Sequence, residues 1–332
     1  MNVRPITSGV LLLLVLSGCD NSAICYDRLI DACRKAEDLT AFVGEQTAGS
    51  LASGNAIVGE SGILQATGKM SVSLRAHGVA RSAPQLQGTM LRTDGVATSS
   101  AFRTEDAGAM SMSADFAVGG LRGFRAGETR IGGIDLLGNL TMVPGFHSNG
   151  LRVTSKGLGY GLGVRVGVVA ETRVLPAISL SVMGRALPTF SAQTTQLNTD
   201  AGGTMSISLT DISVSGHTLR LAGSKQFGRY GITSGFGRSS YHTSSGYRVA
   251  SPDGSEDTGV NFTDAYVTRN DVFAGASLTL GPARIGAEVG RTLGAGGPVM
   301  FNTFGDGTTS GRRTYATLGV RFGAGRTHDR GR

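Results

Sequence analysis

The segment Met110-Ser-Met-Ser-Ala-Asp-Phe-Ala-Val118 alternates apolar and polar residues with a period of two. This is the period of a β-strand, in which successive side chains point to opposite faces of a sheet. The even positions form an apolar face, and the odd positions Ser111, Ser113 and Asp115 begin a polar face. We therefore predict a strand with one apolar side and one polar side.

The same alternation recurs on both sides of this segment, first in Met70-Ser-Val-Ser-Leu-Arg-Ala76 and last in Tyr315-Ala-Thr-Leu-Gly-Val-Arg-Phe322. Stretches without alternation predict connections that are long and short in turn. Every short connection falls on the same side as both ends of the series of strands. The predicted connections are 80–107, 119–129, 144–156, 170–175, 188–203, 227–229, 243–268, 281–282 and 294–312.

Composition and the lengths of the apolar stretches distinguish a helical membrane protein from a β-barrel. The 332 residues include 52 Gly, 13 Phe, 7 Tyr and no Trp, which is poor material for a large globular core. After the N-terminal apolar run no uninterrupted apolar stretch is long enough for a transmembrane helix, so a helical membrane protein is excluded. A β-barrel remains, because its strands cross with about ten residues of alternating polarity.

The polar faces decide between a barrel and a soluble sandwich. They consist mostly of Gly, Ser and Thr with scattered Arg, Asp and Glu, which suits a narrow lumen better than a water-facing sheet. Alternating short and long connections are also typical of membrane barrels. We predict an all-β fold, an antiparallel transmembrane β-barrel over 63–322 with a short N-terminal helix. It has about ten strands, or twelve if 84–107 hides a hairpin.

The count of ten requires 204–226 to be one long strand. Its apolar residues all have odd numbers, which predicts one shared apolar face: Met205, Ile207, Leu209, Leu219 and Leu221. The polar middle from Asp211 to His217 is expected to bulge or to rise above the membrane. Splitting the strand at Ser215-Gly216 would place the two ends of the series on opposite sides.

The N-terminus has the features of an export signal. Arg4 and the short apolar run 9–16 predict a signal peptide over 1–18. The boundary Leu16-Ser-Gly-Cys19 resembles the lipobox of bacterial lipoproteins, which implies that Cys19 becomes lipidated. An ordinary secretory signal that happens to contain a cysteine is the alternative.

The region 19–62 is predicted to hold a helix and a linker. Apolar residues recur at helical spacing over 22–41, and the Gly-rich segment 47–62 is interpreted as a linker or a plug. Cys25 and Cys33 could pair in an oxidising periplasm. A straight helix would hold them about 12 Å apart, beyond disulfide reach, so their pairing stays open.

Two resemblances bear on class. The strand 315–322 resembles the C-terminal signal of bacterial outer-membrane β-barrels, with Phe322 as the residue that the barrel-assembly machinery recognises. This resemblance implies outer-membrane localisation, with membrane lipids and lipopolysaccharide as partners; the basic tail 323–332 is interpreted as solvated. The segment Ser53-Gly-Asn-Ala-Ile-Val-Gly59 weakly resembles the N-terminal hatch of FadL-type hydrophobic-compound transporters, whose barrels have more strands.

Charged residues on the polar faces are the candidate functional set. An excess of arginine favours anionic solutes in a pore, whereas arginine and carboxylate pairs that brace a narrow barrel are the alternative. The candidates are Arg75, Asp115, Asp135, Arg165, Arg185, Arg220, Arg284, Glu288, Arg291 and Arg321.

These features favour a channel or transporter, similar to a porin, for small hydrophobic or anionic solutes. Two alternatives stay open: a non-conducting structural or adhesion barrel, and an omptin-like protease using Asp211 and His217 near the outer rim. The sequence has no HExxH motif and no paired cysteine ligands, so we expect no metal, no cofactor and no enzyme activity. The net charge of +7 favours lipopolysaccharide phosphates, and no nucleic-acid partner is expected for an exported chain.

Overall fold

A computed structural model describes the part of the chain that follows the predicted signal peptide. The described residues are 27–48, 59–64, 67–148, 150–251, 254, 257–258, 260–296, 300–305 and 313–323. The predicted signal peptide, Cys19, Cys25, most of the predicted linker and the tail beyond 323 lie outside them. Cys33 is disulfide-bonded, and both other cysteines of the chain are outside the described residues.

The described residues form one α-helix and many strands. A 3-10 turn (Asp27–Leu29) leads into α1 (Ile30–Ala48). None of the helices described has both the length and the apolar character to cross a membrane. The strands are β1 (Met70–Gln85), β2 (Met90–Leu91), β3 (Ala101–Leu121), β4 (Phe124–Ala126), β5 (Thr129–Ile131), β6 (Gly133–Met142), β7 (Phe146–Ser148), β8 (Leu151–Lys156), β9 (Gly159–Val169), β10 (Ala177–Ala186), β11 (Thr189–Thr194), β12 (Leu197–Thr199), β13 (Thr204–Phe227), β14 (Tyr230–Ala250), β15 (Asn261–Leu280), β16 (Ala283–Gly296), β17 (Thr303–Phe304) and β18 (Thr314–Gly323).

Ten of these strands close into a ring in the order β1-β3-β6-β9-β10-β13-β14-β15-β16-β18. All ring neighbours are antiparallel, and the first and last strands pair from Ser71 opposite Gly323 to Val79 opposite Tyr315. Closure matters because it leaves no strand edge with unpaired backbone groups. The predicted antiparallel barrel of about ten strands with an N-terminal helix is confirmed.

The two ends of the ring differ in their connections. One end, here called the inner end, carries the connections 122–132, 170–176, 228–229 and 281–282, together with the start of β1 and the end of β18. The opposite, outer end carries the longer connections 86–100, 143–158, 187–203, 251–260 and 297–313. In outer-membrane barrels short turns face the periplasm and long loops face the exterior.

Several strands extend further towards the outer end than the alternation predicts. The connections predicted at 80–107 and 243–268 were wrong in extent, because β1 and β3 extend into the first and β14 and β15 into the second. Polar residues such as Arg103 and Arg248 are exposed there. The inward residues of these extensions, such as Tyr247 and Val249, are buried, whereas the outward residues are polar. The apolar side therefore no longer faces outward, and the pattern by which we recognised strands is lost while the backbone ladder continues.

Within the membrane the two faces differ as predicted. The outward side chains are large and apolar, with Leu162 75 % and Leu318 58 % exposed. Their neighbours in sequence, such as Arg165 and Thr317, point inward and are buried. An apolar exterior around a polar interior is the arrangement that hydrocarbon requires.

One expectation about β13 was wrong. It is a single strand, but Met205, Ile207 and Leu209 point inward and are buried, whereas Leu219 and Leu221 point outward. The cause is a β-bulge between Thr210 and Ser213. Thr210 pairs with Gly246 and Ser213 pairs with Ser244, so β13 has one more residue than β14 between these two pairs. Asp211 in this bulge has a φ of 51°. One extra residue moves every side chain beyond it to the opposite face of the strand.

The helix boundaries also differ from those predicted. The sequence favours a helix over 22–41, whereas α1 runs to Ala48. Phe42 and Val43 in its second half are buried, and Thr47 donates a hydrogen bond to the Val43 carbonyl. Helix ends depend strongly on tertiary packing, which the local pattern does not record.

The bulge yields a first prediction. Deletion of Asp211 should turn Met205, Ile207 and Leu209 outward and remove the apolar lining of the outer half of the lumen. We expect the deletion to abolish the folded, heat-modifiable form on gels of the membrane fraction.

Asp211→Gly is the matched control, because glycine accepts a positive φ without strain. It should keep the heat-modifiable band at the level of the unaltered protein. A folded deletion variant would show that the bulge does not set the faces of this strand.

Candidate functional site

The candidate site is the lumen together with the N-terminal segment that lies in it, residues 27–48 and 59–64. Helix α1 packs in the outer half of the ring against β13, β14 and β15. Its apolar face joins a buried cluster that includes Leu39, Phe42, Ile207, Leu209 and Val249. Phe42 stacks on Phe304 with ring centroids 4.4 Å apart. The apolar residues that the bulge turns inward therefore form the surface on which the helix packs.

Polar contacts fix the helix along its length. Glu45 near its end pairs with Arg269 at 2.8 Å and with Arg313 at 3.5 Å, and all three side chains are buried. Asp38 accepts hydrogen bonds from the backbone N–H and the side chain of Asn302. The Tyr247 hydroxyl donates to Glu37 at 3.0 Å. These partners belong to the strands and outer connections, so the helix is attached to the barrel at several levels.

Asp31 attaches the first turn of the helix to the outer connection 86–100. Its carboxylate accepts hydrogen bonds from the backbone N–H groups of Arg92 and Thr98, both at 2.9 Å, and from the Lys35 ammonium. Burial alone would raise the pKa of the Asp31 carboxyl, but these donors outweigh it and hold the pKa below its usual value. Asp31 is therefore an anionic anchor for the outer loop.

The second part of the N-terminal segment, 59–64, crosses the inner end of the lumen. Glu60 pairs with Arg284 at 2.5 Å and also with Arg321. The Ser61 hydroxyl lies 2.7 Å from the Ser224 hydroxyl. The backbone N–H of Leu64 donates to the Asp135 carboxylate at 3.1 Å. One short stretch of chain thus contacts the wall on several of its sides.

Ion pairs fill the lumen between the helix and the inner end. Asp115 pairs with Arg75 at 2.7 Å and also accepts a hydrogen bond from Asn139. Asp135 pairs with Arg165 at 2.5 Å, and both side chains are 1 % exposed.

A third cluster surrounds Arg220. Its guanidinium lies 2.9 Å from Asp271 and 3.3 Å from Glu288, and it donates to the Tyr315 hydroxyl at 2.7 Å. It also stacks over the Phe273 ring at 4.4 Å. Each buried charge in these clusters has an opposite partner, as the low polarity of a protein interior demands.

Nine of the ten charged candidates point into the lumen. Arg284 and Arg321 do so at the inner end, and Arg185 lies on the inward side of β10 beside Met183. The prediction for Arg291 was wrong, because this side chain is exposed on the outer face. It shares the parity of Val289 and Leu293, which are also exposed. The remaining inward candidates are Arg75, Asp115, Asp135, Arg165, Arg220 and Glu288.

Several charged members of the site were missed. Arg269 and Asp271 follow the predicted connection 243–268 and have the inward parity of β15, so the alternation alone would have found them. Glu45 and Glu60 lie in the N-terminal segment and carry no pattern that relates them to the wall. Only the folded chain brings them to their arginine partners.

The residues considered for an omptin-like protease, Asp211 and His217, are both exposed on β13, and no hydrogen bond between them occurs among the described residues. Elsewhere on the outer face His242 lies 3.1 Å from Asp264. The described residues contain no group of metal-ligating side chains. Phe322, the predicted assembly signal, is outward-facing and half exposed at the inner end, opposite Val72 and Ala283.

The closed antiparallel ring, its apolar exterior and its charged interior define the chain as a β-barrel of the bacterial outer membrane. No family model and no curated protein matches the sequence.

Solved structures with a similar fold are outer-membrane barrels. The translocator domain of autotransporter NalP from Neisseria meningitidis is 11 % identical, with 88 % of this chain and 96 % of that chain covered and a TM-score of 0.35. The toluene transporter TodX from Pseudomonas putida is 9 % identical, with 80 % and 91 % covered and a TM-score of 0.32. The outer-membrane protease OmpT from Escherichia coli is 9 % identical, with 77 % and 94 % covered and a TM-score of 0.35. Likenesses of this size do not assign a function.

The buried pair of Arg165 and Asp135 gives a second prediction. Arg165→Met leaves the Asp135 carboxylate buried without its cation, which costs about 3–5 kcal/mol when one partner of such a pair is removed. We expect the free energy of unfolding to fall by this order in urea titrations of the barrel in lipid vesicles.

Arg291→Met is the matched control, because it removes the same side chain from the outward face. It should leave the urea midpoint nearly unchanged. Equal effects of the two substitutions would contradict the assignment of Arg165 to a structural ion pair.

Proposed function

We propose that the protein is an outer-membrane channel for small anionic solutes whose own N-terminal segment occupies the lumen and limits passage. The charge of the wall supports this proposal. In the described part of the lumen from the level of Glu45 to the inner end, the wall carries twice as many arginines as carboxylates. The arginines are Arg75, Arg165, Arg185, Arg220, Arg269, Arg284, Arg313 and Arg321, and the carboxylates are Asp115, Asp135, Asp271 and Glu288.

The observation that carries the proposal is that the remaining negative charge in the lumen belongs to the N-terminal segment. Glu45 and Glu60 each pair with two wall arginines, and both glutamates belong to the N-terminal segment rather than to the wall. Release of 59–64 would leave two of these arginines without a carboxylate, and withdrawal of the helix would leave the other two. Rings of positive side chains select anions in pores.

Two buried hydrogen-bond donors in the lumen also support passage of anionic solutes. Arg165 Nη1 and Arg269 Nη1 are buried with no hydrogen-bond partner among the described residues. Buried donors of this kind are normally paired with protein, water or an ion. A path lined by such groups favours anionic over hydrophobic solutes, because a hydrophobic solute would leave them unsolvated.

The two glutamates differ in how firmly they are held. Glu45 is fully buried, whereas the side chains of Glu60, Arg284 and Arg321 are 13 %, 14 % and 10 % exposed. Water that reaches an ion pair weakens it. The inner contact is therefore the one that we expect to separate when the lumen opens.

This proposal is tested by conductance in planar bilayers with a salt gradient. Glu60→Gln removes the charge that holds segment 59–64 at the inner end, so we expect larger or more frequent unitary currents than in the unaltered protein. The reversal potential should show a preference for anions, because Arg284 and Arg321 then lack their carboxylate.

Glu128→Gln is the matched control, since Glu128 is exposed at the same end of the barrel. It should leave both conductance and selectivity unchanged. A total absence of unitary current in the unaltered protein and in both variants would instead support a non-conducting structural barrel. Cation preference in Glu60→Gln would contradict the role given to the arginines.

A further inference from the structure

The direction of the N-terminal segment in the lumen can be read from its contacts along β14, which runs from the inner to the outer end. Gly44, near the end of α1, is in close contact with the side chain of Thr243. Glu37, two turns earlier in the helix, contacts Tyr247, four residues further outward on the strand. The helix therefore begins towards the outer end and ends deeper in the barrel.

Contacts with the loops agree with this direction. Asp31 in the first turn of the helix binds Arg92 and Thr98 of the outer connection 86–100. Glu45 in its last turn binds Arg269, which lies well within β15. Further along the chain, 59–64 lies at the inner end, where β1 then starts. The described parts of the segment thus run from the outer end of the lumen (27–48) to its inner end (59–64).

The burial of the helix changes along the same axis. Arg28 and Arg34 near its start are exposed, with the Arg34 side chain at 59 %. From Asp38 to Ala48 every residue except Ala41 is buried. The start of the helix therefore meets solvent at the outer end, whereas its second half is enclosed by the barrel.

We infer that the N-terminal start of α1 is presented on the outer surface of the membrane. The barrel holds this end of the lumen helix at the cell surface, in addition to the proposed passage of solutes and independently of it. The hydrogen bonds of Asp31 with the outer connection 86–100 keep the start of the helix beside the outer loops.

The test compares two conservative substitutions in intact cells. Arg28→Lys places an amine at the start of the helix, and Arg229→Lys places one at the inner turn 228–229; both positions are exposed. Cells are treated with a membrane-impermeant amine-reactive reagent, before or after permeabilisation of the outer membrane, and the modified peptides are identified by mass spectrometry. Lys156, exposed at the outer end, and Lys69, at the inner end, are internal references in the same molecule.

We expect the amine of Arg28→Lys to be modified in intact cells to the same extent as Lys156. The amine of Arg229→Lys, like Lys69, should be modified only after permeabilisation. Modification of Arg28→Lys only after permeabilisation, with Lys156 modified in intact cells, would overturn the inference. Neither substitution touches an ion pair of the lumen, so the heat-modifiable band reports folding and the conductance of Glu60→Gln is tested separately.

Discussion

Everything in this molecule depends on the pairing of β1 with β18. In hydrocarbon no water is available for unpaired backbone groups, so a sheet must close on itself. Closure by an antiparallel pair requires an even number of strands, and it places the start of β1 and the end of β18 at the same end of the barrel. The distribution of short and long connections follows from this requirement. So does the separation of an apolar outside from a polar inside.

A closed ring of this size leaves a narrow interior, and small inward residues determine what fits there. A Cβ atom at Gly133 would lie 1.9 Å from the Ile63 side chain, and one at Gly44 would lie 2.3 Å from Thr243. These two glycines let the N-terminal segment approach the wall at opposite ends of the lumen. The glycine content that makes a globular core implausible is therefore part of the packing of the N-terminal segment inside the barrel.

The ring could be predicted from sequence because its signals are local: a period of two within each strand and the length of each connection. The face exchange in β13 could not, since it depends on the positive φ of Asp211 and leaves the numbering parity of the apolar residues intact. Arg291 was assigned to the inward face, although Val289 and Leu293 on either side of it in the alternation point outward. Glu45 and Glu60 are different, because their roles arise from contacts with residues more than two hundred positions away. No local pattern encodes such a pairing.

The arrangement of charge explains why the segment inside the barrel is divided into two parts with different attachments. The helix is held by the buried Glu45 pairs and by apolar packing, which water does not weaken. The stretch 59–64 is held by the partly exposed Glu60 pairs and by a few hydrogen bonds. On the proposed function, release at the inner end would open a path past Arg284 and Arg321 while the helix stays in place. The outer end would then keep the start of the helix at the surface, so the passage of solutes and the exposure of the helix start need not interfere with each other.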